Sequence, residues 1–171
     1  MIEVTKTSLK GVLLIKPSVF EDFRGQYVET YNEKEYREAG IDMDFIQDDI
    51  SVSTNHVLRG IHGDAETWKL ISCFHGCFYL VVVNWDQSSP QFRKWESFTL
   101  SDRNRLQVLV PPKFGNGHLV LSAMTIFHYK QTSYYNRAGQ FTLQWNDPAL
   151  NVWWPIANPI VSRRDGGKEG V

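Results

Sequence analysis

The chain has 171 residues, with 18 Lys plus Arg against 19 Asp plus Glu and a formal charge of -1. That length is enough to bury a core as one domain without disulfides or a structural metal. The even balance excludes a generic nucleic-acid or membrane-surface binder, so any anionic ligand must be held by a few local cations.

The first six residues, Met1-Ile2-Glu3-Val4-Thr5-Lys6, show no basic stretch leading into an apolar one, and no later apolar run reaches the ~20 residues of a membrane helix. A cytoplasmic protein is expected. Strands are predicted over 11–16, 26–31, 45–53 and 57–61, where aromatic and β-branched runs are broken by Gly, Pro, Asn and Asp. Between the second and third lies a helix: Asn32 caps it, Glu35 answers three residues later ahead of Tyr36, and Gly40 closes it. Residues 68–85 are strongly β-prone and interrupted at His75-Gly76, which predicts a hairpin. Its second arm is nearly all apolar, so it is expected to be covered on both faces, as the centre of a sandwich or beside a partner subunit. Cys73 and Cys77 read as free core thiols. Further strands are predicted over 95–100, 105–110, 118–121, 124–132 and 141–144, with Pro111-Pro112 as an obligate turn. Trp153-Trp154-Pro155 reads as an anchor onto the sheet. Residues 166–171 read as a flexible tail after a single domain spanning 1–165. About a dozen short strands with one or two short surface helices predict an all-β, cupin-type jelly-roll barrel.

Many cupins hold a metal through closely spaced histidines. Here His62 is followed by Gly63 and Asp64, and His56, His62, His75, His118 and His128 show no tight ligand spacing, so neither a metal nor a cofactor is expected. His62 follows Arg59 by three residues, so the two point to opposite faces of a strand unless Gly60 sits in a bulge. As a base near neutral pH it needs a carboxylate to orient it; a half-buried structural histidine fits the same spacing. Lys69, between Trp68 and Leu70, is either a buried cation awaiting an anion or a lysine on the outer sheet face. Tyr129, between His128 and Lys130, fits an acid or ordinary strand packing. Arg24 follows Asp22 in a turn from which a guanidinium could fork a phosphate.

Taken in order, Phe20-Glu21-Asp22-Phe23-Arg24-Gly25, Gln47-Asp48-Asp49-Ile50-Ser51, Leu58-Arg59-Gly60-Ile61-His62, Lys69-Leu70, Tyr129-Lys130-Gln131-Thr132, Trp145-Asn146-Asp147-Pro148 and Trp154-Pro155 span nearly the whole chain. Together they resemble the nucleotide-sugar 3,5-epimerase family typified by dTDP-4-dehydrorhamnose 3,5-epimerase. The resemblance implies a metal-free cupin, a homodimer, acting on a nucleoside-diphosphate 4-keto sugar. It implies His62 as general base, Asp165 in Ser162-Arg163-Arg164-Asp165 as its orienting carboxylate, Tyr129 as the acid on the opposite face and Lys69 as the stabiliser of the enolate oxygen. Arg24 and Arg59 would hold the diphosphate, Glu29 and Gln47 would be nearby polar contacts, and Tyr134 or Tyr135 would stack on the nucleobase.

Three departures from the family pattern bear on the substrate. Gly63-Asp64 stands where an aromatic and a glutamine are usual, Gln47-Asp48-Asp49 replaces Gln-Asp-Asn, and Phe114-Gly115-Asn116-Gly117-His118 replaces a stretch with histidine at the Asn116 position. The Arg-Gly-Ile-His-Gly-Asp form resembles the branch that epimerises GDP-linked 4-keto-heptoses for capsular polysaccharide, where Asp49 or Asp64 could accept hydrogen bonds from guanine. The expectation is therefore a C3 epimerase, with or without C5, of a GDP-linked heptose. The alternatives are a dTDP-4-dehydrorhamnose 3,5-epimerase, a 3,4-keto-isomerase and a non-catalytic sugar-nucleotide-binding cupin.

Overall fold

Strand pairing in the computed structural model, which describes residues 1–167, sorts most of the chain into two antiparallel sheets. In chain order the strands are β1 (Glu3–Lys6), β2 (Leu13–Lys16), β3 (Ser18–Asp22), β4 (Gly25–Glu29), β5 (Gln47–Thr54), β6 (Leu58–Gly63), β7 (Lys69–His75), β8 (Cys77–Asn84), β9 (Trp95–Ser101), β10 (Gln107–Val110), β11 (Phe114–Val120), β12 (Met124–Gln131) and β13 (Phe141–Thr142). One sheet has six strands, β1-β2-β10-β7-β12-β5, and the other five, β13-β6-β11-β8-β9. β3 and β4 form a separate two-stranded ribbon. This is the cupin-like, all-β fold that the sequence predicts, with one α-helix and one short 3-10 turn, at Arg137–Gly139, among the described residues.

Three apolar layers explain which strands go where. Between the sheets, Ile71, Cys73, Val108 and Phe127 meet Phe78, Leu80, Val82 and Leu100. On the outer side of the five-stranded sheet, Tyr79, Val81, Val83 and Leu119 are covered by Leu143, Leu150 and Trp154. On the outer side of the six-stranded sheet, Ile15, Leu70 and Leu109 are covered by Tyr36 and Ile41. Each fully buried Val, Leu or Phe contributes roughly 1.5–3 kcal/mol. The apolar β8 is thus covered on both faces, by the opposite sheet and by the chain's own C-terminal segment anchored through Trp154, whose indole N–H donates to the Trp145 carbonyl at 2.8 Å.

The helix α1 (Glu33–Glu38) begins as predicted, with the Asn32 side chain accepting from the Glu35 N–H. Gly40, at φ +85°, ends it while the Ile41 N–H returns to the Tyr36 carbonyl at 2.8 Å. Glu35 does not complete a capping box; its carboxylate accepts from the Ser18 hydroxyl at 3.4 Å.

The predicted 68–85 hairpin is corrected. β7 pairs with β10 and β12, and β8 with β9 and β11, so the chain crosses from one sheet to the other at Gly76. β8 is apolar on both faces and β7 is buried from Leu70 to Cys73, and placing them in opposite sheets makes each a central strand, which a hairpin in one sheet does not require. Both cysteines are free thiols. Of the expected tail, residues 168–171 lie outside the described residues; Gly166 and Gly167 close a turn through N–H bonds to the Ser162 and Arg164 carbonyls at 2.9 and 3.1 Å. Among the described residues no helix is long and apolar enough to cross a membrane.

Candidate active site

The site begins with a misfit between two strands. Asn116 opposes His62 and His118 opposes Arg59, so three steps along β6 match two along β11. The extra residue is a bulge at Gly60, where φ is +122° and a Cβ would stand 2.5 Å from the Gly117 Cα. Arg59 and His62, three residues apart, therefore line one cavity of about 740 Å³.

Asp165 reaches this cavity from the C-terminal segment. Its carboxylate meets His62 Nε2 at 2.6 Å and accepts the Gly60 N–H at 3.3 Å, while its own N–H donates to the Ser162 hydroxyl at 3.1 Å. Burial pushes the Asp165 carboxyl up, but hydrogen bonds from His62, Gly60 and Ser162 outweigh it, so the net shift is downward. An ionised Asp165 accepts the His62 Nε2–H and leaves Nδ1 as the basic nitrogen.

The facing wall comes from the other sheet. Tyr129 on β12 and Lys69 on β7 line the cavity, with the Lys69 ammonium 5.8 Å from the centre of the Tyr129 ring. Burial, then the charge of Asp49 and a hydrogen bond to it, holds the Tyr129 phenol well above its ordinary value, so it keeps its proton. Burial pulls Lys69 down, and the charge of Asp64 pulls it partly back. The strand β5 shows an inverted pattern: Gln47, Asp49, Ser51 and Ser53 are turned inward, and Asp48, Ile50, Val52 and Thr54 outward. The inward row is a polar wall. Gln47 donates to Asp49 at 2.8 Å and accepts the Tyr135 N–H at 2.9 Å, and Ser53 accepts from Arg59 Nε at 2.9 Å.

Besides His62, Asp165, Tyr129, Lys69 and Arg59, the cavity is lined by the predicted Asn116 and Tyr135. Gln47 and Asp49 stand behind Tyr129 and Tyr135 as supports. Four other predicted residues are not brought to the cavity of this chain. Arg24 sits on the β3–β4 ribbon paired with Asp22 at 2.6 Å, Glu29 accepts from Asn32 at 2.9 Å beside the helix start, and Tyr134 is 76% exposed. Asp64 caps its own turn, accepting the Glu66 and Thr67 N–H groups at 3.0 and 2.7 Å. Gly63 before it is required by packing, because a Cβ there would lie 2.3 Å from the Phe114 carbonyl oxygen. The Gly63-Asp64 departure is therefore a matter of strand contact and turn geometry. Sequence reasoning missed Arg137, Arg163 and Arg164, which also line the cavity. The adjacent arginines before Asp165 were the available signal: a carboxylate assigned to the site brings its chain neighbours with it. Among the described residues, no three His, Cys, Asp or Glu side chains converge on a common point.

A family model described as dTDP-4-dehydrorhamnose 3,5-epimerase matches residues 6–170. A curated relative of that name from Shigella flexneri is 38% identical over 168 residues, covering 96% of this chain and 93% of the relative. The chain belongs to the dTDP-4-dehydrorhamnose 3,5-epimerase family. It is thus an enzyme of the carbohydrate-isomerase class. Among solved structures, the dTDP-6-deoxy-D-glucose-3,5-epimerase of Legionella pneumophila, in complex with dTDP-4-keto-L-rhamnose, superposes with a TM-score of 0.93 at 34% identity, covering 98% of this chain and 91% of that one. The dTDP-4-dehydrorhamnose 3,5-epimerase of Bacillus anthracis, with TDP and PPi bound, gives 0.93 at 34% identity, covering 96% and 97%. These family members carry dTDP-linked names, and the expected GDP-heptose branch finds no support in them.

Proposed function

We propose that this chain is a cytoplasmic, homodimeric 3,5-epimerase of a dTDP-linked 4-keto sugar. The observation that carries this reading is the placement of a carboxylate-oriented histidine on one sheet and a protonated tyrosine beside a lysine on the other, within one cavity. The C4 ketone acidifies the protons on C3 and C5, His62 removes one, and Tyr129 returns a proton from the opposite wall, inverting the centre. Lys69, whose ammonium makes no hydrogen bond or ion pair among the described residues, meets the enolate oxygen, a contribution of ~3 kcal/mol for one placed donor. Arg59, Arg137, Arg163 and Arg164 supply positive charge for the diphosphate. dTDP is preferred over GDP here because Asp64 is committed to its turn and Asp49 to Tyr129 and Gln47, leaving neither to read guanine.

The test is a 4-keto dTDP-sugar incubated in deuterated water. Wild-type enzyme is expected to wash deuterium into C3 and C5, and His62→Ala to abolish it; Tyr129→Phe should lose epimerised product more than wash-in. No exchange, or exchange that survives His62→Ala, removes the assignment. Tighter binding of GDP than dTDP in a titration would return the guanine reading.

A further inference from the structure

The carboxylate of Asp49, where Gln47-Asp48-Asp49 departs from the family's Gln-Asp-Asn, has no part in the reaction just described. Asp49 belongs to the inward row of β5, and its partner directly across the ladder on β12 is Tyr129. Directly opposed residues share a face of the sheet with their Cβ atoms ~4.5–5.5 Å apart, and here the carboxylate and the phenol meet in a hydrogen bond.

The direction of that hydrogen bond is set from behind. The Tyr135 backbone N–H can only donate, so it holds Gln47 Oε1 at 2.9 Å and turns Gln47 Nε2 toward Asp49, to which it donates at 2.8 Å. As a carboxylate Asp49 only accepts, so it takes the Tyr129 O–H as well. The proton that the reaction needs from Tyr129 is thus held by Asp49 and not presented to the sugar. Burial and the Asp49 charge both strengthen the phenol's hold on it.

Once His62 has taken a proton, the enolate has two fates. The His62 imidazolium returns a proton to the same face, which exchanges the hydrogen without inversion. Alternatively the Tyr129 O–H bond breaks as the new C–H bond forms on the opposite face, and the phenolate left behind regains a proton from water. Only the second route puts two negative oxygens side by side, on Tyr129 and Asp49, so only that route is slowed by the carboxylate.

We propose that Asp49 is a positioning residue that acts through the Tyr129 hydroxyl to set how often the enolate is protonated with inversion and how often it returns to the starting sugar. This rests on the epimerase reading, in which Tyr129 is the acid.

The experiment follows dTDP-4-keto-6-deoxy-D-glucose in deuterated water by NMR and takes the ratio of inverted product to deuterated starting sugar, a quantity independent of how much protein is folded. Wild-type protein is expected to deuterate recovered starting sugar well ahead of inversion. Asp49→Asn removes the charge and leaves the side chain's size, and is expected to raise the ratio about tenfold with the total wash-in rate unchanged. In a Tyr129→Phe background the same substitution is expected to change nothing, since the residue through which Asp49 acts is gone. A ratio that Asp49→Asn leaves unmoved or lowers overturns the proposal, as does an effect that persists without the Tyr129 hydroxyl. Weaker binding of dTDP by Asp49→Asn would place Asp49 on the nucleotide and overturn it too. Wild-type protein with no wash-in at all removes the epimerase reading itself, whereas wash-in with an unmoved ratio removes only the role of Asp49.

Discussion

Asp165 holds His62 and the bulge of β6 together with one carboxylate, through His62 Nε2 at 2.6 Å and the Gly60 N–H at 3.3 Å. Its folded-state pKa is depressed, so its ionised form stabilises the fold fully above the ordinary carboxylate range near ~4, and that contribution is lost as pH falls through the lower folded value. Asp165→Asn should therefore flatten the acid side of the stability profile below about pH 4. An amide also cannot stabilise a protonated His62 and can present its own N–H to Nε2, fixing the wrong tautomer. The expected cost is ~10²–10⁴-fold in kcat with KM changed little, since the carboxylate acts through the base and not on the sugar. Steady-state kinetics of the variant within threefold of wild type would remove Asp165 from the base assembly.

At the scale of elements, the β6–β11 pair decides whether Arg59 and His62 share a face. That part of the site was legible: an Arg-Gly-Ile-His run in a strand admits convergence only through a bulge at the glycine, and the structure has it there. The partner strand was half legible. The predicted strand begins only at His118, yet β11 starts at Phe114 and takes in Gly115-Asn116-Gly117, where a Cβ on Gly117 would press Ile61 Cγ1 at 3.0 Å and the Arg59 carbonyl oxygen at 3.2 Å. Glycines that make room between strands look, in sequence, like glycines that end them. Two substitutions separate the requirements. Gly25→Ala meets nothing within 4 Å at φ +118°, so it should cost only backbone strain, ~1–2 kcal/mol. Gly60→Ala adds a 2.5 Å backbone clash and should cost about 3 kcal/mol or more by urea unfolding, with kcat falling in whatever fraction still folds. Equal costs for the two would mean that β6 and β11 can separate without consequence.

For the whole molecule, His62 and Asp165 approach from the five-stranded sheet and the C-terminal segment, and Tyr129 and Lys69 from the six-stranded sheet. No local pattern announces such a cavity. The β-prone run 68–85 shows two strands but not that they part company at Gly76, since only the partners available elsewhere in the chain decide that. β5 is the complementary case, because its polar residues face the cavity and its apolar ones face out: Ile50 is 62% and Val52 53% exposed, with Ile126 and His128 opposite them on β12 and Phe74 stacked on His128. Inverted burial on a strand that lines a cavity leaves an apolar outer face that a second copy can cover, as the proposed homodimer requires. Glutamate at both positions should uncouple the assembly, because two buried carboxylates without partners cost far more than the apolar contact they replace. Sedimentation of Ile50→Glu/Val52→Glu is expected to show a monomer where wild type shows a dimer, with far-UV dichroism unchanged because both side chains point away from the core. A double variant that still sediments as a dimer would place the interface elsewhere, and the exposed aromatic ribbon carrying Phe20, Phe23 and Tyr27 would then be the face to substitute.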